Sequence, residues 1–507
     1  MELYKTTDLE IVDKNIDQII SSIEDIKKEL YPTNINSKPD TSSELEKTDS
    51  ESDSDSDKTD SKSNVDVKQQ VPKQKTLEEV QEIVNITLEF VSSKKRKIYG
   101  GYAQNKAVSH KNKKDAFYSE KDAPDIDVYS PQPIEDLVEL CDTLHAKGYK
   151  VSGIEAIHEG TYKIFANGYN AIDLSYVPKM IFDAIPFLEI DNIRYVHPSF
   201  AMIDLYRMLS EPLFSSWRWK KAINRLHLLQ KYYPFEYLKN KSVDNVYKHK
   251  TNVSKVMDVV LNFIKNNENV YIVGDFAYNQ LVNESKDKNF SEIDIGIYQI
   301  ISIDYKKDAN ALINKFKESG INIKTVEYYP FFNFTGYSVE IMYNGKTIVK
   351  MYNNLKRCCP VKKIKMNDNS IVQIGSFDFI FLMEMVFSFR QKVLKDGNKK
   401  RYHDVLISNM IKMRETYFKT THKTLLDDSL FQSFIGTCIG KGIDTFNEAK
   451  KKRNELKEKR KNKEKVSFGF SYKPVREIKN KWVFSNTSGN LINNPKNLKL
   501  SKHQNKN

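Results

Sequence analysis

Apolar residues recur near the helical period at Ile11, Ile16, Ile19, Ile20, Ile23 and Ile26, and Pro32 ends the run. That spacing predicts one amphipathic helix from Leu9 to Leu30. A second helical pattern begins near Leu77, passes Ile83, Ile86, Leu88 and Val91, and leads into Lys94-Lys-Arg-Lys97. Beyond it the texture changes to short alternating runs and turns, so the folded body is expected from about Thr76. Between the two helices, Asp40 to Lys62 is Ser, Asp, Glu and Thr with almost nothing apolar. Such a stretch cannot offset its ordering entropy by burial and is expected to be a disordered acidic linker. Phe377 to Phe389 is apolar apart from two acids. It falls short of the roughly 20 residues that span a bilayer, and predicts a buried helix with no membrane partner.

The alternating region contains an internal repeat. Lys97-Ile-Tyr-Gly-Gly-Tyr-Ala-Gln-Asn-Lys-Ala-Val108 reappears as Tyr271-Ile-Val-Gly-Asp-Phe-Ala-Tyr-Asn-Gln-Leu-Val282, and Asp125-Ile-Asp-Val as Glu292-Ile-Asp-Ile. Further on, Thr161 to Phe165 and Tyr169 to Val177 flank Asn167-Gly168, while Ser338 to Met342 and Lys346 to Tyr352 flank Asn344-Gly345. Asn-Gly between alternating runs signals a two-residue hairpin, because a type I′ turn needs positive φ at both positions. Two tandem α/β (α+β) domains follow. The expected organisation is an N-terminal amphipathic helix (1–35), an acidic linker (36–75), a first domain (76–240), a second (241–445) and a basic tail (446–507).

Charge changes the picture modestly. The chain of 507 residues carries a formal net charge of +13. A soluble Lys-rich surface would account for that; so would a polyanionic partner. Distribution matters more than the total: Ala449 to Lys465 holds ten Lys or Arg against three Glu, a run that is usually a solvated face but that a polyanion would meet first. The first ten residues contain no apolar signal region. Four cysteines, at 141, 358, 359 and 438, show no zinc spacing and are too few for a disulfide framework, so free thiols in a reducing compartment are expected.

The candidate chemistry sits in the first repeat. Ile98-Tyr99 reads as a strand entering a helix through Gly100-Gly101, where backbone amides and a helix N-terminus suit a nucleoside triphosphate. A plain tight turn would also explain the glycines. Asp125-Ile-Asp127 puts two carboxylates on one face of a strand, a costly arrangement that a divalent cation relieves. The plain alternative is an edge strand with both acids in water. Asp173 stands in the otherwise apolar Ala171-Ile-Asp-Leu174, where a lone buried acid needs a partner. If its strand neighbours the first pair, three carboxylates converge and can hold two metal ions roughly 4 Å apart. In the second repeat, registering on the Asn-Gly turn puts Lys350 where Asp173 stands, and a shift of one puts Val349 there. Neither ligates magnesium, so the second domain is expected to be degenerate.

The order of Gly-Gly turn, Asp-x-Asp strand and hairpin with a third Asp resembles the nucleotidyltransferase superfamily. The runs His197 to Pro212 and Arg218-Trp-Lys-Lys-Ala-Ile-Asn-Arg-Leu226 are similar to the catalytic subunit of viral poly(A) polymerases, in the poxvirus and mimivirus-group branches. The resemblance covers roughly Lys95 to Gly440. It implies AMP addition from ATP to mRNA 3′ ends with Mg²⁺ or Mn²⁺, the metals on Asp125, Asp127 and Asp173 and the nucleotide turn at Gly100 and Gly101. Two departures stand out: Tyr102 follows the glycines where the superfamily often has Ser, and a Lys-rich loop, Lys106 to Lys121, lengthens the gap to Asp125. Arg218 and Lys221, interleaved with Trp217 and Trp219, are candidate contacts for ATP or RNA. A homodimer whose basic faces make one longer RNA track is expected as the means of holding a growing strand, located in the host cytoplasm or viral factory or packaged in the virion. Uridylyl transfer, tRNA-end addition, antibiotic nucleotidylation and a non-catalytic RNA-binding scaffold are the alternatives.

Overall fold

The computed structural model describes residues 1–30, 77–118, 125–156, 158, 160–238, 245–249, 253–354, 357–440, 442, scattered positions from 448 to 462, and 470–474. The acidic linker and most of the basic tail lie outside the described residues. Sixteen strands, numbered in chain order, form two eight-stranded sheets. The first comprises β1 (Lys97–Tyr99), β2 (Asp127–Ser130), β3 (Val151–Glu155), β4 (Thr161–Ala166), β5 (Tyr169–Tyr176), β6 (Phe187–Ile190) and β7 (Ile193–Val196). The second comprises β8 (Val270–Val273), β9 (Tyr298–Ser302), β10 (Lys324–Tyr328), β11 (Ser338–Tyr343), β12 (Lys346–Asn353), β13 (Cys359–Lys365) and β14 (Ile371–Gly375). Two short strands, β15 (Cys438–Ile439) and β16 (Ser471–Tyr472), complete them.

The sheets have one topology twice. Spatial order is β16-β3-β4-β5-β2-β1-β7-β6 in the first and β10-β11-β12-β9-β8-β14-β13-β15 in the second. Strand by strand, β3-β4-β5-β2-β1-β7-β6 therefore superposes in order on β10-β11-β12-β9-β8-β14-β13. Both Asn-Gly turns have the expected positive φ, 47° and 79° at Asn167 and Gly168, 48° and 77° at Asn344 and Gly345. A polar anchor repeats as well: Ser130 Oγ donates to Asp136, and Ser302 Oγ to Asp308, each at the end of the strand after the glycine turn.

Two cores hold these layers. The smaller packs helices Leu77–Ser93 and Pro133–Ala146 on the first sheet, through Ile83, Val84, Leu137 and Leu140 against Ile126, Val128, Ile172 and Leu174. The larger joins helices Thr6–Leu30, Pro198–Leu209 and Trp219–Tyr232 to the second sheet and to the buried helix Phe377–Val393. Val12, Ile16 and Ile23 are the inward stripe of the N-terminal helix, and Tyr4 ahead of it donates to Asp378 Oδ1 at 2.6 Å. That helix is thus part of the body.

Several expectations need correction. The helix after Gly100 runs to Lys111, so the expected Lys-rich loop is helical from Lys106 to Lys111. The basic run Lys94 to Lys97, a candidate guide for RNA by its charge, is partly structural: Arg96 forks onto Asp136 at 2.7 and 2.8 Å, and Lys97 is buried, its ammonium on the carbonyls of Phe182 and Ile185. β16, drawn from the expected tail, pairs antiparallel with the β3 edge. Cys358 and Cys438 are joined as a disulfide, their Cα atoms 5.3 Å apart, where free thiols were expected; the fold brings β15 beside β13, a juxtaposition that spacing along the chain does not encode. Cys141 and Cys359 are free and buried. Among the described residues no helix is long and apolar enough to cross a membrane.

Candidate active site

Three adjacent strands build the site. β1 runs antiparallel to β2 with Tyr99 opposite Asp127, and β2 runs parallel to β5 with Asp127 opposite Asp173. The Asp173 amide donates to the Ile126 carbonyl at 3.0 Å, which locks that register. Asp125 stands two residues before β2, not on it, because regular pairing starts at Asp127. It nevertheless joins the group: one carboxylate oxygen from each of Asp125, Asp127 and Asp173 lies within 4.8 Å of the others. Asp125 is exposed, Asp127 half-buried and Asp173 buried.

Electrostatics follow from this crowding. Burial, then the charges of Asp125 and Asp173, push the Asp127 carboxyl well above the usual carboxylate range, while Lys163 and Arg225 pull it back. Asp173 has partners of its own, Lys163 Nζ at 2.9 Å on Oδ2 and Asn170 Nδ2 at 2.9 Å on Oδ1. Three carboxylates crowded this closely repel one another unless positive charge is supplied. An all-oxygen set of this kind fits magnesium or manganese.

Beside the carboxylates, β1 ends at Tyr99 and the helix Gly100–Lys111 begins, its first amides facing the same region. Gly100 has φ +70°. A side chain there would overlap Asp127 Oδ2, with Asp127 Cγ 3.2 Å from the added carbon. At Gly101 an added carbon would overlap the Tyr118 hydroxyl and come within 3.2 Å of Arg225 Nη2. The two glycines therefore let an acid and a guanidinium close over a helix N-terminus.

Arg225, in the helix Trp219–Tyr232, was not singled out by sequence. It donates to the Tyr118 hydroxyl at 2.8 Å, and its guanidinium lies 4.9 Å from the Phe117 ring centroid. Asn105 Oδ1 fixes that aromatic pair by accepting the amides of Phe117 and Tyr118. The sequence signal for Arg225 is its place near the end of the run Arg218 to Leu226, four residues and so about one turn after Lys221. Arg218 and Lys221 are exposed, set roughly 10 and 6 Å along the axis from Arg225 at 1.5 Å per residue. Arg218 stacks 4.3 Å over exposed Trp217, on a 3₁₀ turn preceding the helix, while Trp219 is buried. Arg225→Ala is expected to raise the KM for ATP about tenfold or more, as loss of a charge-assisted contact would, with a smaller change from Arg218→Ala. Equal KM values for wild type and Arg225→Ala would remove Arg225 from the triphosphate path.

The second repeat has the same frame with other side chains. Val273 pairs with Gln299 as Tyr99 does with Asp127, and Gln299 pairs with Lys350 as Asp127 does with Asp173. Gln299, not Asp294, is thus the counterpart of Asp127; Glu292 and Asp294 lie in the irregular segment ahead of β9. Gly274 keeps φ +71°, and Asp275 fills the place of Gly101, buried and accepting from Tyr402 at 2.8 Å. Burial and Glu384 push its carboxyl up to about 7. A buried carboxylate at a helix N-terminus occupies the position an anionic ligand would need.

Residues 85–215 match the family model "Poly(A) polymerase catalytic subunit", and residues 227–502 match "APMV, Putative poly(A) polymerase, catalytic subunit, C-terminal". The putative poly(A) polymerase catalytic subunit of Acanthamoeba polyphaga mimivirus is 33% identical over 477 residues, covering 86% of this chain and 81% of the relative. A protein of the same description from African swine fever virus is 35% identical over 182 residues, 34% of this chain and 37% of its own length. Among solved structures, the Megavirus polyadenylate synthase crystal structure superposes with a TM-score of 0.72 at 32% identity, covering 83% of this chain and 84% of that one.

Proposed function

This chain belongs to the viral poly(A) polymerase catalytic subunit family, and we propose from that membership that it is a polynucleotide adenylyltransferase. It adds AMP from ATP to RNA 3′ ends without a template, and Asp125, Asp127 and Asp173 hold its divalent metals. The observation that carries the site assignment is the convergence of these three carboxylates within 4.8 Å beside a glycine-flanked helix N-terminus.

Each residue has a definable task. Asp125, Asp127 and Asp173 would hold Mg²⁺ or Mn²⁺, which when bound supplies activation of the 3′-hydroxyl and charge neutralisation at the triphosphate. The amides of Gly100 and Gly101 face the phosphates, and Arg225 adds a charged donor from the opposite wall. Arg218 and Lys221 lie further along that wall, where an outgoing phosphate or the RNA would pass. The second repeat binds no metal in this reading, since Gln299 and Lys350 replace two of the three ligands.

The deciding experiment is extension of an RNA primer with single nucleotides. ATP with Mg²⁺ or Mn²⁺ is expected to support extension at least about tenfold faster than UTP or CTP, and chelation by EDTA to stop it. Equal use of UTP would favour a uridylyltransferase; no extension with any nucleotide would favour a scaffold. The same reading includes a homodimer whose basic faces would make one longer RNA track, the net charge of +13 being suited to the RNA. Sedimentation at the monomer mass of 59.0 kDa would overturn it. It also includes a site in the host cytoplasm or viral factory or in the particle, which immunoblots of each fraction decide.

A further inference from the structure

In both repeats the Asn-Gly hairpin carries a bulge at one place, between Ile164 and Phe165 in the first and between Ile341 and Met342 in the second. The extra residue moves the register by one, so that Lys163 faces Asp173 and Glu340 faces Lys350. Each couple is an ion pair, at 2.9 Å and 2.7 Å, and all four side chains are largely buried. The signs are exchanged between the repeats while the geometry is kept. A polar residue two positions after the turn glycine steadies each acid: Asn170 on Asp173, Thr347 on Glu340.

A buried cross-strand pair that survives with both charges reversed belongs to the frame of the hairpin. Lys163 is therefore more than a chance neighbour of a metal carboxylate. In the first repeat its anionic partner also confronts Asp125 and Asp127, so the lysine sets a fixed positive charge at the inner end of the triad. Lys163 on one oxygen and Asn170 on the other leave lone pairs free, because a carboxylate offers about four acceptor sites.

We infer that Lys163 is a positioning residue of the reaction, the built-in counter-ion that holds Asp173 facing Asp127 so that the triad is assembled before metal binds. The inference rests on the assignment of the three carboxylates as metal ligands. Lys163→Met keeps the length of the stem and removes the charge. At saturating ATP it is expected to slow primer extension about 10- to 100-fold with the ATP KM within about twofold, since misplacement by an ångström costs on that order. Lys163→Arg should recover most of the rate.

A second readout needs no turnover. In EDTA, Lys163→Met should melt below wild type, and saturating Mn²⁺ should raise its melting temperature by more than it raises that of wild type, because the metal replaces the missing charge. The exchanged pair Lys163→Glu with Asp173→Lys, inactive by design, should melt above either single variant. A wild-type rate for Lys163→Met, an arginine variant as slow as the methionine one, a Mn²⁺ shift no larger than that of wild type, or a double variant no more stable than the singles would each overturn the inference. If Lys163→Met is fully active while Asp127→Asn is dead, the triad assignment stands and only the positioning role falls. If both are fully active, the assignment falls too.

Discussion

Asp127→Asn is expected to lower the primer-extension rate at saturating ATP by about 10³-fold or more, some 4 kcal/mol of transition-state stabilisation, while making the metal-free protein more stable. Both effects come from one feature. Asp127 is the central member of the triad, flanked by Asp173 across the strand pair and by Asp125 two residues earlier, and it touches Gly100 at the helix N-terminus. The amide keeps the shape and removes the charge. Because burial and two neighbouring carboxylates raise the folded-state pKa, the fold favours the protonated acid. Stability from this group is therefore fully present below the unfolded-state value and is lost as pH rises through the folded-state value, and the ionised form carries a penalty that the amide lacks. Thermal melts in EDTA at pH 7 should show Asp127→Asn above wild type, and the gap should shrink in saturating Mn²⁺. A variant that extends RNA at the wild-type rate would refute the site; one that is inactive but also less stable would point to misfolding.

The fold was legible where local chemistry determines it. Asn167-Gly168 and Asn344-Gly345 demand positive φ, so both hairpins and their repetition could be read directly. The stripe Ile16, Ile23 and the apolar Phe377 to Phe389 likewise follow from period and length. Asp173 was found because an acid among Ile172 and Leu174 needs a reason. What sequence could not disclose depends on register and on distant chain. One bulge residue decides that Lys163, and not its neighbour, meets Asp173. Arg225 reaches Gly101 from more than a hundred residues away, and Lys97 is buried by the carbonyls of Phe182 and Ile185. In the second repeat the similar letters of Glu292-Ile-Asp294 drew attention from Gln299, which holds the equivalent strand position. Local similarity and structural equivalence diverge there because Glu292-Ile-Asp294 lies in the irregular segment ahead of β9, before strand pairing begins.

Gly100→Ala should be the most damaging single methyl group in the molecule, and Gly274→Ala is its internal control. Both glycines end a central strand with φ near +70°, a region costly for any other residue, and in each the added carbon strikes the side chain on the facing strand. Strain alone is expected to cost about 1–3 kcal/mol at either position. The consequences then separate. At Gly100 the struck atom is Asp127 Oδ2, so the methyl group displaces an oxygen of the proposed metal triad and crowds the amides that would face the phosphates. Extension by the folded enzyme should fall about 10²-fold or more. At Gly274 the struck atom is Gln299 Oε1, in a repeat whose helix N-terminus is already filled by Asp275. Its variant should lose comparable stability but retain near wild-type extension per folded molecule, measured below the melting transition of both proteins. A Gly274→Ala enzyme as slow as Gly100→Ala would mean that the second repeat takes part in turnover, and that one degenerate copy beside one working copy is the wrong description of this chain.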